Sequence, residues 1–405
     1  MKIEEPIIYF KSSENMDELI DNSIQLIITS PPYGKIKDYG NHNQIGFSDS
    51  FDIYFKRLQQ VWKECYRVLE PQCRMVVNIG DQYLRTAKFG RYRIISIASQ
   101  IINDCSNIGF DFLGDIIWQK VSTTNTTGGC SFMGSIFYPR NGLLTYDYEH
   151  ILIFKKYKGK NKRTIELRWK ELSKISLCEW KKWFVGHWKI PGVLQKEHIA
   201  MFPDEIPYRI IRMFSFIGDR VLDPFLGSGT SLKVAKSLLR KGIGYEVNPE
   251  FKQTIDIKIK QAKLGYFEDY QFLSYIIFIK AQEQGYEINF NSQKQKSIII
   301  LKDKFSNEIL IDYLLIDEDS INKESLINEL GAKFEENTFK NYLNELPKWE
   351  SYQHYIIIIN AKPKIKEFKS VIDEMLKSLS LKKPVSILFM KTVISETFQL
   401  ADFFI

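Results

Sequence analysis

Ile24-Gln25-Leu26-Ile27-Ile28-Thr29-Ser30-Pro31-Pro32-Tyr33-Gly34 is the stretch around which the rest of the chain is organised. The run Ile24 to Thr29 is short and apolar, the pattern of a strand buried on both faces in a parallel sheet. Two consecutive prolines then fix φ and remove two N–H donors, so the chain leaves the strand as a stiff, extended turn. Both proline carbonyls are expected to keep their lone pairs free. With the Ser30 hydroxyl before them and the Tyr33 ring after, the turn suits a flat group bearing an NH2. Its oxygens accept the amine hydrogens while the Tyr33 face covers the ring. A strand that simply ends in a Pro-Pro turn accounts for the same residues about equally well.

The balance shifts nearly two hundred residues later, at Arg220-Val221-Leu222-Asp223-Pro224-Phe225-Leu226-Gly227-Ser228-Gly229-Thr230. A strand runs into a Gly-X-Gly turn and then a helix from Ser231 to Arg240. A second strand ends on Glu246, in Gly-Ile-Gly-Tyr245-Glu246-Val247-Asn248-Pro249. Glycines let a backbone approach a ligand closely, and an acid at the end of the next strand suits a ribose hydroxyl pair. A lone Gly-X-Gly is weak, and the full dinucleotide signature is absent. The Asp-Pro-Phe before the glycines and the Asn-Pro after the acid make this version far more specific.

Together the two stretches resemble the amino-methyltransferases of DNA, and their order resembles the β class, a permuted arrangement. Further pieces are similar in order: Leu69 to Asp81 as a helix–turn–strand, then Phe112 to Lys120, Tyr148 to Phe154, His187 to Pro191, and His198 to Pro203. The resemblance covers about residues 1–265. It departs near the start, where the family often has Gly-Asp and this chain has Lys11-Ser12-Ser13.

The resemblance implies an α/β fold: a Rossmann-like S-adenosylmethionine-dependent methyltransferase sheet in permuted order, with a second, smaller α/β C-terminal domain. The expected domains are residues 1–268, carrying a basic target-recognition insert at about 155–187, and residues 269–405. It further implies that Ser30, Pro31, Pro32 and Tyr33 present the target amine for direct attack on the sulfonium methyl of S-adenosylmethionine. Asp223, Pro224, Phe225, Gly227, Ser228, Gly229 and Thr230 would hold the cofactor. Glu246, Val247 and Asn248 would line its ribose side, and Phe202 and Pro203 would wall the methionine end. In the family a serine opening the turn goes mostly with N4 of cytosine and an aspartate mostly with N6 of adenine. The expectation is therefore N4-cytosine methylation of double-stranded DNA, with N6-adenine and an inactive DNA-binding module as alternatives.

Composition agrees with that reading. The 405 residues hold 44% apolar side chains, enough for real cores, and no run approaches a membrane span. Nothing at Met1 to Pro6 resembles a leader, so a soluble, cytoplasmic protein is expected. Five cysteines (65, 73, 105, 130 and 178) show no Cys-x-x-Cys spacing, which argues against zinc and a disulfide framework; no metal is expected. Cys73 lies just after Pro71-Gln72, where carbon-5 chemistry would place a nucleophile, but it reads as structural.

The net charge of +7 is unevenly spread. Residues 271–405 hold 17 lysines against 19 acids, leaving 39 basic against 30 acidic groups in the first 270; the last arginine is Arg240. The basic part is the part with the methyltransferase resemblance, as a phosphate-neutralising domain requires. Residues 155–182 alone carry 11 Lys and Arg against three Glu. Lys155, Lys156, Lys158, Lys160, Lys162 and Arg163 are thus candidates for DNA phosphates, weighed against an ordinary solvated face. Phe132, Tyr138 and Arg140, in a long polar loop at 121–146, are further candidates by the resemblance.

Other elements follow from local pattern. Met16 to Asp21 is expected as a helix. Phe51 to Leu69 has helical apolar spacing. Residues 35–50 are expected as a mobile loop beside the turn. Beyond residue 265, strands are expected at Tyr270–Lys280, Ser297–Leu301, Ile309–Ile316, Tyr355–Asn360 and Val385–Met390, with helices at Lys323–Leu330, Thr338–Leu346 and Ile365–Leu379. This region has no arginine, the residue most used to read guanine, so contact with a second copy or a partner protein is its expected role.

Overall fold

A computed structural model describes residues 4–34, 38, 40–84, 86–120, 133–134, 140, 142–144, 146–160, 163–192, 202–267 and 269–291. Beyond these it describes only the strands at 298–302, 308–315, 354–360 and 385–389. The three helices expected after residue 320 lie outside the described residues. The chain divides into two compact units, Met1–Thr164 with Lys181–Phe267, and Ile165–Trp180 with Glu268–Ile405. Residues 165–180, the middle of the basic insert, thus group with the second unit.

The first unit is built on an eight-stranded sheet. Its strands in chain order are β1 (Ile7–Tyr9), β2 (Ile24–Thr29), β3 (Leu69–Ile79), β4 (Asp111–Lys120), β5 (Tyr148–Lys155), β6 (His187–Ile190), β7 (Arg220–Asp223) and β8 (Lys241–Tyr245). They lie side by side as β1-β8-β7-β2-β3-β5-β4-β6. All run parallel except β5, which is antiparallel to both neighbours. Every residue of β2 is buried, as its unbroken apolar run requires.

Helix α1 (Phe51–Val68) returns the chain from β2 to β3. Ser50 caps it by accepting from the Ile53 N–H, and Tyr54, Leu58, Val61, Trp62 and Cys65 form its buried stripe. With α2 (Ile97–Ile108) it shares a core that includes Ile27, Met75, Val77 and Leu152. On the other side of β2 the chain order reverses, since α3 (Thr230–Ser237) carries β7 outward to β8. Gly244 makes that packing close: a Cβ there would stand 2.8 Å from Leu226 Cδ2 and 3.1 Å from Leu232 Cδ2. After β8 the chain forms α4 (Lys252–Lys260), whose Ile255 and Ile259 pack with Leu226 and Leu232.

Two connections leaving neighbouring strands in opposite directions open a crevice at the strands' C-terminal ends. Here the two strands are β2 and β7, paired through Val221 with Leu26 and Leu222 with Ile27. Ser30 and Pro224, the first residues past them, therefore emerge side by side.

Several local expectations are corrected. Met16 to Asp21 is a set of turns, because Arg67 of α1 takes the carbonyls of Met16 and Leu19 at 2.9 and 2.8 Å. Tyr270 to Lys280 is not a strand but lies in helix α5 (Tyr270–Glu283). Its apolar run has no alternation, and Asp269 caps the helix by accepting from the Phe272 N–H at 2.8 Å. Leu69 begins β3 directly after α1, with no intervening turn.

The second unit contains a five-stranded sheet ordered β9 (Glu287–Asn291), β10 (Ile298–Lys302), β11 (Glu308–Leu315), β12 (His354–Asn360), β13 (Val385–Phe389). Its first three strands are antiparallel and the last three parallel. Strand β9 adds one to those expected from the sequence pattern. Among the described residues, no helix is long and apolar enough to cross a membrane.

The pairing of β2 with β7 is locked by Thr29, whose hydroxyl donates to Asp223 at 2.7 Å between the strand ends. Thr29→Val keeps the shape and removes the donor to a buried carboxylate. It should lower stability by about 1–3 kcal/mol, read as denaturant unfolding followed by tryptophan fluorescence. Thr29→Ser, which keeps the donor, should cost less.

Candidate active site

The crevice holds a cavity of about 980 Å³, counting the solvent space at its mouth. Its wall joins the two stretches that dominate the sequence. Ser30, Pro32 and Tyr33 come from the first; Asp223, Pro224, Phe225, Gly227, Ser228 and Thr230 come from the second, with Glu246, Val247 and Phe202. Of the remaining predicted residues, Pro31 is buried in the turn and Gly229 is the left-handed cap of α3. Asn248 is buried behind the wall, its N–H donating to Glu246 Oε1 at 2.8 Å. Pro203 is half-buried and outside the wall.

Asp223 is 2% exposed and surrounded by protein donors. One carboxylate oxygen accepts from Thr29 Oγ1 and from the Phe225 N–H at 3.0 Å, the other from Ser231 Oγ. Burial raises its pKa, and these three bonds oppose the rise. The residue therefore shapes the turn, and the main chain beyond it faces the cavity. Gly227 has φ +55° and open space where a Cβ would point. Its N–H donates to Glu246 Oε2 at 2.8 Å, tying the turn to the end of β8. Burial pushes the Glu246 carboxyl up to about 7, against the Asn248 and Gly227 N–H groups that favour its charge.

The Ser30–Gly34 turn differs in one detail from expectation. The Pro32 carbonyl is not free, since it accepts from Tyr54 Oη at 2.7 Å and from the Gly34 N–H at 2.9 Å. Tyr54 thereby anchors the turn to α1. Tyr33 is half-buried, and Glu149 stands close to it: a Cβ at Gly80 would lie 3.3 Å from Glu149 Cγ and 3.4 Å from Tyr33 Cε1. Glu149 is buried, accepts from Asn78 Nδ2 at 2.7 Å and pairs with Lys120.

Sequence reasoning missed part of the wall. Lys11, Ser12 and Ser13 line it, at the place where the family's usual Gly-Asp is replaced. So do Asn43, Gln44 and Ile45, from the loop expected to be mobile. Arg57 of α1 pins that part of the loop, donating to the carbonyls of Asn43 and Gln44, both at 2.9 Å, and pairing with Glu14 and Asp49. A single arginine at helical spacing gives no hint of this in the sequence.

The basic stretch needs the largest correction. Because β5 is antiparallel, Lys155 pairs with Arg74 and the chain continues along the start of β3, with Gln72 donating to the Tyr157 carbonyl. Lys155 to Lys160 thus lie at the end of the sheet opposite the crevice. Lys156 is buried; its ammonium bonds the Tyr66 and Leu69 carbonyls at 2.6 and 2.8 Å and sits over the Tyr66 ring. That closes the end of α1 and leaves nothing for a phosphate. Arg163 pairs with Asp219 at 2.6 Å, just before β7. Lys158, Lys160 and Arg140 are exposed, and Lys155 is half-buried. Phe132, Tyr138 and Lys162 lie outside the described residues. Cys65, Cys73 and Cys105 are in no disulfide, and no cluster of three metal-ligating side chains occurs among the described residues.

The sequence profile of the N6/N4 DNA methylases matches residues 24–258, spanning both turns. This chain belongs to that family. It is an S-adenosylmethionine-dependent DNA methyltransferase with the Rossmann-like fold of its relatives. The methylase is 36% identical over 299 residues to the type II methyltransferase M.MjaI of Methanocaldococcus jannaschii, covering 66% of this chain and 96% of that protein. M.MthZI of Methanothermobacter thermautotrophicus is 35% identical over 279 residues, covering 63% and 76%. A solved structure of TTHA0409 from Thermus thermophilus, assigned as a DNA modification methylase and complexed with S-adenosyl-L-methionine, has 29% identity and a TM-score of 0.52. It covers 65% of this chain and 96% of that one.

The cavity suits S-adenosylmethionine on its own terms. The open space over Gly227, the buried Glu246 carboxyl, the apolar Phe202, Phe225 and Val247, and the hydroxyls of Ser228 and Thr230 match an adenosine joined to an amino acid.

Proposed function

We propose that the methylase acts on the exocyclic N4 of cytosine in duplex DNA, as the modifying partner of a restriction–modification pair. The observation that carries the reading is the shared cavity: Ser30 and Tyr33 stand in one wall with the glycine turn. The bound cofactor supplies an electrophilic methyl group, and the chain's own residues present the nucleophile. Ser30 Oγ and the Pro31 carbonyl accept the two amine hydrogens, drawing the nitrogen lone pair out of conjugation. Tyr33 stacks on the extruded base, and Tyr54 holds the turn at fixed distance through Pro32. A hydroxyl, not a carboxylate, opens the turn, the form associated with cytosine. The type II relatives support the restriction–modification context.

Carbon-5 chemistry is disfavoured by the three thiols whose side chains are described. Burial, with Glu70 and Asp219 nearby, pushes Cys73 up to about 12, and burial raises Cys65 and Cys105 as well. None of the three supplies a thiolate near neutrality.

Digestion of DNA methylated with labelled S-adenosylmethionine should yield N4-methylcytosine. N6-methyladenine as sole product would overturn the cytosine assignment, and covalent trapping on 5-fluorocytosine would overturn the mechanism.

Glu246 would take the ribose hydroxyls, with Asn248 holding its carboxylate. The ionised form is the better acceptor, so cofactor affinity should be full above about pH 7 and fall as pH drops through it. Glu246→Gln should flatten that limb in calorimetric titration with S-adenosylhomocysteine. A limb that persists in the variant would assign it to another group.

DNA would approach the C-terminal end of the sheet, where the hairpin Gln82–Leu84/Arg93–Ile95 follows β3 and Arg91 and Arg93 are exposed. Neutralising these two should flatten the slope of log K against log salt by up to about 0.9 for each phosphate left without its cation. Neutralising Lys158 and Lys160, at the opposite end, should leave it unchanged. Fluorescence anisotropy on labelled duplexes reads both, and the reverse pattern would put the DNA at the other end of the sheet.

A further inference from the structure

Behind the glycine turn, outside the cavity wall, lies a cation to which the reading of the reaction gives no task. Lys258 stands on α4, and its ammonium reaches Ser228 Oγ at 2.7 Å and Thr230 Oγ1 at 2.8 Å. Both hydroxyl oxygens accept from Lys258; they lie 3.5 Å apart, so at most one of their protons is taken within the pair and at least one is left to donate elsewhere, and both residues line the cavity. The arrangement is a relay: a positive charge behind the wall, two polarised hydroxyls in it, and open space in front.

Two parts of the cavity wall are chemically distinct. Glu246, just past β8, is an acceptor and suits neutral hydroxyls. Ser228 and Thr230, beyond the Gly227 N–H that Glu246 holds, offer hydroxyls backed by a cation and suit an anion. We propose that Lys258 is a positioning residue for the carboxylate of the cofactor's methionine portion, acting through the hydroxyls of Ser228 and Thr230. The inference rests on the reading of this cavity as the cofactor site and adds which part of the wall takes which half of the ligand.

The surroundings hold the Lys258 charge near its titration point. Burial, opposed by Asp204 and aided by Lys233 on α3, pulls the ammonium down to about 8. Asp204 itself pairs with Lys233 and accepts from Tyr266 Oη, which also accepts from Lys233 at 3.0 Å. A ligand carboxylate in front of the two hydroxyls adds a negative charge that favours the protonated amine. Affinity for a ligand with the amino-acid end is therefore full below about pH 8 and declines as pH rises through it.

The test compares two ligands that share the adenosine: S-adenosylhomocysteine, with the amino-acid end, and 5′-methylthioadenosine, without it. Lys258→Met should weaken S-adenosylhomocysteine about 10- to 100-fold, the range for a lost bond to a charged group. It should leave methylthioadenosine unchanged. Lys258→Arg should retain binding and lose the decline above pH 8, while the ligand's own amine titrates identically in both proteins. Equal weakening of both ligands would show Lys258 to be a mere prop for the turn, and unchanged S-adenosylhomocysteine affinity would remove it from binding altogether. Either result overturns the proposal. Glu246→Ala serves as the separate control: it should weaken both ligands, and if it weakens neither, the cofactor-site reading fails and not the assignment of Lys258 within it.

Discussion

Asp223 accepts from donors on three different elements: Thr29 at the end of β2, the Phe225 N–H in the glycine turn, and Ser231 in α3. A carboxylate taken out of water is costly unless hydrogen bonds replace those it gave up. Here the replacement comes from the parts that must be held together. The Ser30–Gly34 turn hangs from one donor and the glycine turn from the other two. A shift of either turn would leave the buried acid short of a partner, so the carboxylate makes the relative placement of the two turns a requirement of folding.

Around that tie the rest of the site is fastened by single long side chains. Arg57 pins the loop at Asn43 and Gln44, and Tyr54 pins the proline turn, both from α1. The glycine turn is fastened from the opposite side by Glu246. Little of the cavity wall depends on loop conformation alone, which suits a reaction whose catalysis is mainly alignment.

What the sequence makes legible is chemistry that is local. Ser30 to Tyr33 and Asp223 to Thr230 carry their own backbone consequences, so the sheet, the cofactor and the family can be read from them. The Gly227 turn needs only its neighbours to be recognised. The misreadings share one cause, which is that the deciding partner lies outside the pattern being read. Tyr270 to Lys280 is apolar without a period, and the cap at Asp269 settles it. Met16 and Leu19 lose their helix to Arg67, nearly fifty residues on. The lysines at 155–160 show charge density but no direction. Only the reversed run of β5 decides which end of the sheet they occupy, and for Lys156 it decides burial beneath the end of α1.

The permuted order of the sheet also has a consequence in time. Strand β2 lies between β3 and β7, and β3 follows it within about fifty residues. The other edge of β2 has no partner until Asp223 has been made. At synthesis rates of roughly 5–20 residues per second, that edge waits on the order of ten to forty seconds on the ribosome. During that interval Ile-Gln-Leu-Ile-Ile-Thr presents an unpaired, apolar strand edge, the feature that most readily recruits another chain. The edge left open longest thus belongs to the strand that runs directly into Ser30-Pro31-Pro32-Tyr33.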